Sequence, residues 1–131
     1  MAFEDIDSAT TTQIEADLAE AAGRGINGSP ADIVESFEAE LADYLALPPD
    51  VRRAFPRGDT ARLYGTALGQ ALVREGFQWQ LLIDDYGTDL VVAKDVGGAG
   101  EKYTAPLVVV DQRFEDEEPG TLTKFLSLIH I

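Results

Sequence analysis

At Gly76 the spacing of apolar residues changes from the recurrence of a helix to a period of two, so neither an all-helical nor an all-strand fold accommodates both halves of the chain. Before that point Asp59 or Thr60 opens a helix that runs to about Arg74 or Glu75. After it, Phe77, Trp79, Leu81 and Ile83 alternate with Gln78, Gln80 and Leu82, which predicts a half-buried strand. The segment Asp84-Asp85-Tyr86-Gly87-Thr88-Asp89 has turn composition, and Leu90-Val91-Val92-Ala93-Lys94 resumes an extended pattern, so the two strands should form a hairpin. Gly97-Gly98-Ala99-Gly100 reads as a loop leading to a third strand around Lys102-Tyr103-Thr104. From Pro106 two readings compete. Val108-Val109-Val110 favours a strand, whereas Leu107, Val110 and Phe114 stand at helical spacing behind a proline suited to a helix start, and helix is preferred.

The amino-terminal side is helical. A first helix should start after Thr10-Thr11-Thr12, carry Ile14, Leu18 and Ala21 or Ala22 on one face, and stop at Gly23-Arg24-Gly25; its thin stripe implies weak packing. A stronger start follows, with Ser29 as cap, Pro30 at the first position and Asp32 at the positive helix end. Ile33, Phe37, Leu41, Tyr44 and Leu45 then recur until Pro48-Pro49. In the third helix Gly65 and Gly69 lie on one face and let another element come close, a sheet being the expected neighbour. The predicted fold is α+β: N-terminal helices packed on one face of a small antiparallel sheet of about three strands with a central hairpin. Residues 1–28 are expected to be an N-terminal helix and linker, and residues 29–125 a single domain.

The order from Leu63 to about Arg113 is a helix with Leu68-Gly69, then Gly76-x-x-Trp79, an acidic hairpin with Asp89, and Pro106 leading to Arg113. It resembles a family of small bacterial domains of unknown function in which a leucine-glycine, glycine-x-x-tryptophan, proline, arginine pattern recurs. The resemblance implies an α+β fold and a bacterial source, and its marks are packing residues that carry over no catalytic role. The last six residues, Leu126-Ser127-Leu128-Ile129-His130-Ile131, match the in-frame translation of a transposase sequencing adapter. They are expected to be adapter-derived, with the native chain continuing past Phe125 and His130 carrying no functional weight.

Twenty-four acidic residues against ten basic ones give a net charge of -14, which repels nucleic acid and anionic membranes and attracts a basic protein or a cation. Cysteine is absent and His130 is the single histidine. That removes thiol chemistry and leaves Ser8, Ser29 and Ser36 without the usual activating base. No apolar run approaches membrane-spanning length and the amino terminus is acidic, so a cytoplasmic setting is expected, with no cofactor. The oligomeric state is left open.

Two acidic groups are candidate partner surfaces: Glu35, Glu38, Glu40 and Asp43, expected to form the face of the second helix opposite its apolar stripe, and the loop Glu115, Asp116, Glu117 and Glu118. The leading expectation is a non-enzymatic interaction module for a basic protein, such as an inhibitor or immunity-type protein. The alternative is a cation-dependent enzyme or small-ligand protein using Asp84, Asp85 and Asp89, although these lack a full calcium-loop spacing and suit a solvated turn. A third reading is a structural module of a longer protein. Gly97 to Gly100 lacks the lysine of a phosphate-binding loop, no two carboxylates are placed across a cleft, and Trp79 reads as packing.

Overall fold

The computed structural model describes residues 1–130, so Ile131, the end of the adapter-like hexapeptide, lies outside the described residues. The elements follow in the order β1 (Ala2–Asp5), α1 (Ser8–Gly23), α2 (Pro30–Ala46), α3 (Pro49–Arg52), α4 (Arg57–Val73), β2 (Gln78–Asp84), β3 (Gly87–Lys94), β4 (Lys102–Thr104), α5 (Pro106–Arg113) and α6 (Thr121–Ile129). The strands form one antiparallel sheet in the order β1-β2-β3-β4. The fold is therefore α+β as predicted, with four strands rather than three. The added strand is β1. It is a four-residue edge whose partners, Gln80 to Ile83, stand more than seventy residues along the chain, and Ala2-Phe3-Glu4-Asp5 carries too few apolar residues to alternate.

Local chemistry sets the helix ends. Asp7 caps α1, its Oδ1 accepting from the Thr10 amide at 2.7 Å, and those donors hold the Asp7 carboxyl below the usual carboxylate range. The helix thus begins before the threonine run rather than after it. The Thr11 and Thr12 hydroxyls donate to the carbonyls of Asp7 and Ser8, satisfying themselves within the helix. At α2 the Ser29 hydroxyl accepts from the Asp32 amide while the Asp32 carboxylate accepts from the Ser29 amide, each at 3.1 Å, with Pro30 in the first position. Helix α4 starts at Arg57, two or three residues before the expected Asp59 or Thr60.

Helix α4 is the axis of the molecule. Leu63, Leu68 and Leu72 are fully buried, meeting Phe37 and Leu41 of α2, Phe114 at the end of α5, and Phe77 and Val92 on the sheet side. The thin apolar stripe of α1 is supplemented by a buried charge: Asp17, only 4% exposed, pairs with Arg62 of α4 and accepts from the Gln13 side-chain Nε2 at 2.9 Å. Gly65 and Gly69 do receive close neighbours, but only one is the sheet. A Cβ on Gly65 would lie 2.5 Å from the Leu107 Cα of α5, and one on Gly69 would lie 2.3 Å from the Trp79 ring of β2. At Gly65, then, a helix backbone occupies the space expected for a strand.

The segment from Pro106 is helical. Leu126 to Ile129 extend α6, with Leu122 and Leu126 buried one turn apart. Lys102 Nζ donates to the Ile129 carbonyl at 3.3 Å, and His130 Nε2 lies 2.7 Å from Glu75 Oε1 at the surface. The described part of the adapter-like segment is thus a packed helical turn.

Candidate functional site

The four acids of α2 do not share a face. At about 100° per residue, Glu38 and Glu40 lie roughly 160° apart and flank the buried stripe, while exposed Glu35 and Asp43 point away from it. Glu40 Oε2 accepts from the Tyr64 hydroxyl at 2.7 Å, and that hydroxyl also lies 2.9 Å from Ser36 Oγ. Burial, reinforced by the Glu40 carboxylate, pushes Tyr64 up to about 12. It is a protonated donor at neutral pH and a poor base for Ser36. Glu38 Oε2 accepts from the Gly120 amide, at the N-terminus of α6, which otherwise has no side-chain cap. Two of the four α2 acids therefore hold the fold.

The loop of residues 115–118 is matched by arginines. Arg57 Nε reaches Asp111 Oδ1 at 3.0 Å and its Nη2 reaches Glu115 at 3.1 Å; the Asp111 hydrogen bond raises the Arg57 pKa further. Arg113 Nε lies 3.0 Å from Asp116 Oδ2, at ion-pair distance but not aligned as a hydrogen bond. Arg52 lies 4.0 Å from Glu117, and among the described residues only Glu118 of the four makes no ion pair. A groove of about 440 Å³ beside this loop is lined by both signs of charge, Arg113 and Lys124 with Asp116 and Glu118.

At the hairpin, β3 begins at Gly87 rather than near Leu90, so the turn is only Asp85-Tyr86, with Asp84 Oδ1 accepting from the Tyr86 amide at 2.8 Å. Asp84 stands opposite Gly87 and Asp89 opposite Leu82, so these two carboxylates are set apart along the ladder while Asp85 lies in the turn. Among the described residues no group of three or more histidine, cysteine or acidic side chains could hold a metal ion.

The sheet itself presents a feature that the spacing did not reveal. Trp79 and Val92 face the helical core, whereas Leu82, Val91 and Ala93 are buried outside it, on the other face. Among the described residues no helix covers that face. Its cover is Phe3 from one edge strand and Tyr103 from the opposite edge, whose rings meet edge to face at 5.5 Å with Met1 Sδ 3.8 Å from the tyrosine hydroxyl. The signal was present in Val91-Val92-Ala93, an unbroken apolar run that implies burial on both faces. Asp5, Asp84 and Asp89 share this face, Asp85 lies in the adjoining turn and Glu4 on the opposite face of β1, and none of the five makes an ion pair among the described residues. Asp5 accepts only a 3.3 Å contact from Gln80.

Residues 52–125 match the family described as "Domain of unknown function (DUF3806)". The chain belongs to that family. No curated protein and no solved structure matches it. Within the DUF3806 segment, Gly69, Trp79 and Pro106 converge: a Cβ on Gly69 would meet both the indole and, at 3.0 Å, the proline ring, while Trp79 Nε1 donates to Gln70 at 3.0 Å. Trp79 is a packing residue here, as its position on an inward strand implied. No helix among the described residues is long and apolar enough to cross a membrane.

Proposed function

We propose that this chain is a non-catalytic bacterial interaction module of the cytoplasm that binds a basic protein, in the manner of an inhibitor or immunity protein, through the uncovered face of its sheet. The observation that carries the reading is the uneven matching of charge. Arginines pair with three of the four acids of the 115–118 loop, while Asp5, Asp84 and Asp89 on the open face, with Glu4 and Asp85 nearby, make no ion pair among the described residues. Unmatched carboxylates around exposed aromatic rings attract a basic surface, speed its approach and leave apolar area for it to cover. Nothing comparable favours catalysis: the hydroxyl nearest to Ser36 belongs to a tyrosine that stays protonated.

The test is capture from a bacterial lysate by the immobilised chain at about 20 and about 500 mM salt, against a variant carrying Asp5→Asn, Asp84→Asn and Asp89→Asn. A basic protein retained at low salt by the parent and lost by the variant supports the reading. Equal retention by both, or retention indifferent to salt, overturns it.

A further inference from the structure

Resting on the reading above, we propose that the partner enters as an extended strand that pairs with the free edge of β1, and that its segment carries two adjacent basic residues followed or preceded by an apolar one. The sheet has two edges. The β4 edge is three residues long and the end of α6 lies beside it, with Lys102 bound to the Ile129 carbonyl. The β1 edge is different. Its ladder to β2 runs unbroken from Ala2↔Ile83 to Asp5↔Gln80, without proline, bulge or positive φ. Outside that ladder no hydrogen bond to the backbone of residues 2–5 exists among the described residues. Alternate N–H and C=O groups of an edge strand point outward and are ready to pair with another chain.

Charge selects the occupant. Edges are commonly guarded by lysine or proline, and β1 has neither; its exposed residues are Ala2, Glu4 and Asp5, two of them acidic. A second copy added here would bring a second Glu4-Asp5 pair to the same four-residue edge, in a chain of net charge -14. Self-pairing is therefore opposed and a basic strand is favoured. Side chains alternate across a strand, so a partner residue beside Glu4 meets one face of the sheet, while those beside Asp5 and Phe3 meet the other. Basic residues match Glu4 and Asp5, and an apolar residue matches Phe3 where its ring meets Tyr103. Read along the partner, that is basic-basic-apolar if it runs antiparallel to β1 and the reverse if parallel. Main-chain pairing supplies affinity, and the three side chains supply choice.

The probe is the synthetic peptide Thr-Lys-Lys-Val-Thr-Val, titrated into the full chain at about 20 mM salt. Two N-methylated versions accompany it, with methyl groups on complementary alternate residues, and so does a version with serine in place of both lysines. Strand pairing is expected to make one methylation pattern bind at least about tenfold more weakly and leave the other unchanged, because only one set of amides faces β1. Hydrogen exchange at the outward amides of residues 2–5 should slow in the complex. If both methylated peptides bind like the parent and those amides gain no protection, strand pairing is overturned while docking on an acidic surface stands. If the serine peptide binds as well as the lysine peptide, or no peptide binds, the charge-based reading falls with it.

Discussion

The carboxylates of residues 115–118 and those near β1 differ little in the sequence and greatly in the folded chain. On the helical side Arg52, Arg57 and Arg113 reach into the acidic loop, and a neighbouring acid, Glu38, closes the start of α6. On the sheet side Asp5, Asp84 and Asp89 share a face with two aromatic rings and make no ion pair among the described residues. A run of charge in a sequence is therefore a poor guide to a docking surface until its internal partners are known. The acidic stretch most evident to the eye is also the one most nearly neutralised within the molecule.

The sharpest way to break this contrast is at the closed side. Gly65→Ala would press a Cβ to 2.5 Å from the Leu107 backbone, and a loss of about 3 kcal/mol in denaturant unfolding is expected despite the gain in helix propensity. An unchanged midpoint would mean that α4 and α5 can separate without cost. Tyr64→Phe removes the donor to Glu40 and should cost about 1 to 2 kcal/mol at neutral pH. Because the folded Tyr64 titrates at about 12 and the unfolded side chain near 10.0, the native state holds the extra proton between those values. Its contribution is complete below pH 10 and is lost as pH rises through 12, so the stability of the parent should fall across that window more steeply than that of the variant. Equal slopes would place the alkaline loss elsewhere.

Arg57→Ala tests whether matching is what separates the two sides. Stability should fall by about 1 kcal/mol or less, since the side chain is 32% exposed. Asp111 and Glu115 become unmatched, so the variant should acquire new salt-sensitive binding of a basic protein on the helical side. Asp5→Asn combined with Asp89→Asn is the smallest change to the fold, within about 0.5 kcal/mol, yet it should weaken retention of a basic protein. A large loss of stability would show that these acids have internal partners after all.

What the sequence disclosed was local. Ser29, Pro30 and Asp32 form one capping unit within four residues, and the helical spacing of Val110 and Phe114 correctly outweighed the valine run between Leu107 and Asp111. What it concealed depended on distant partners. β1 is defined by pairing with β2, and Asp17 acquires its role only from Arg62, 45 residues away. The start of α1 was misplaced because threonine hydroxyls folded back onto the helix are indistinguishable, in a string of letters, from threonines in a loop. The candidate acids were legible as residue types. Their sorting was not: Arg57 and Glu115 are 58 positions apart, and Glu38 and Gly120 are 82.

That last bond reaches across a boundary. The DUF3806 segment starts at residue 52, but the amide at the head of its final helix is met by Glu38, and its buried leucines close on Phe37 and Leu41, all upstream of that start. The stretch that family comparison recognises is thus smaller than the body that folds. A gene fragment cut at residue 52 would express the recognisable part without Ile33, Val34, Phe37 and Leu41 of the core, so heredity and mechanics draw the edge of this domain in different places.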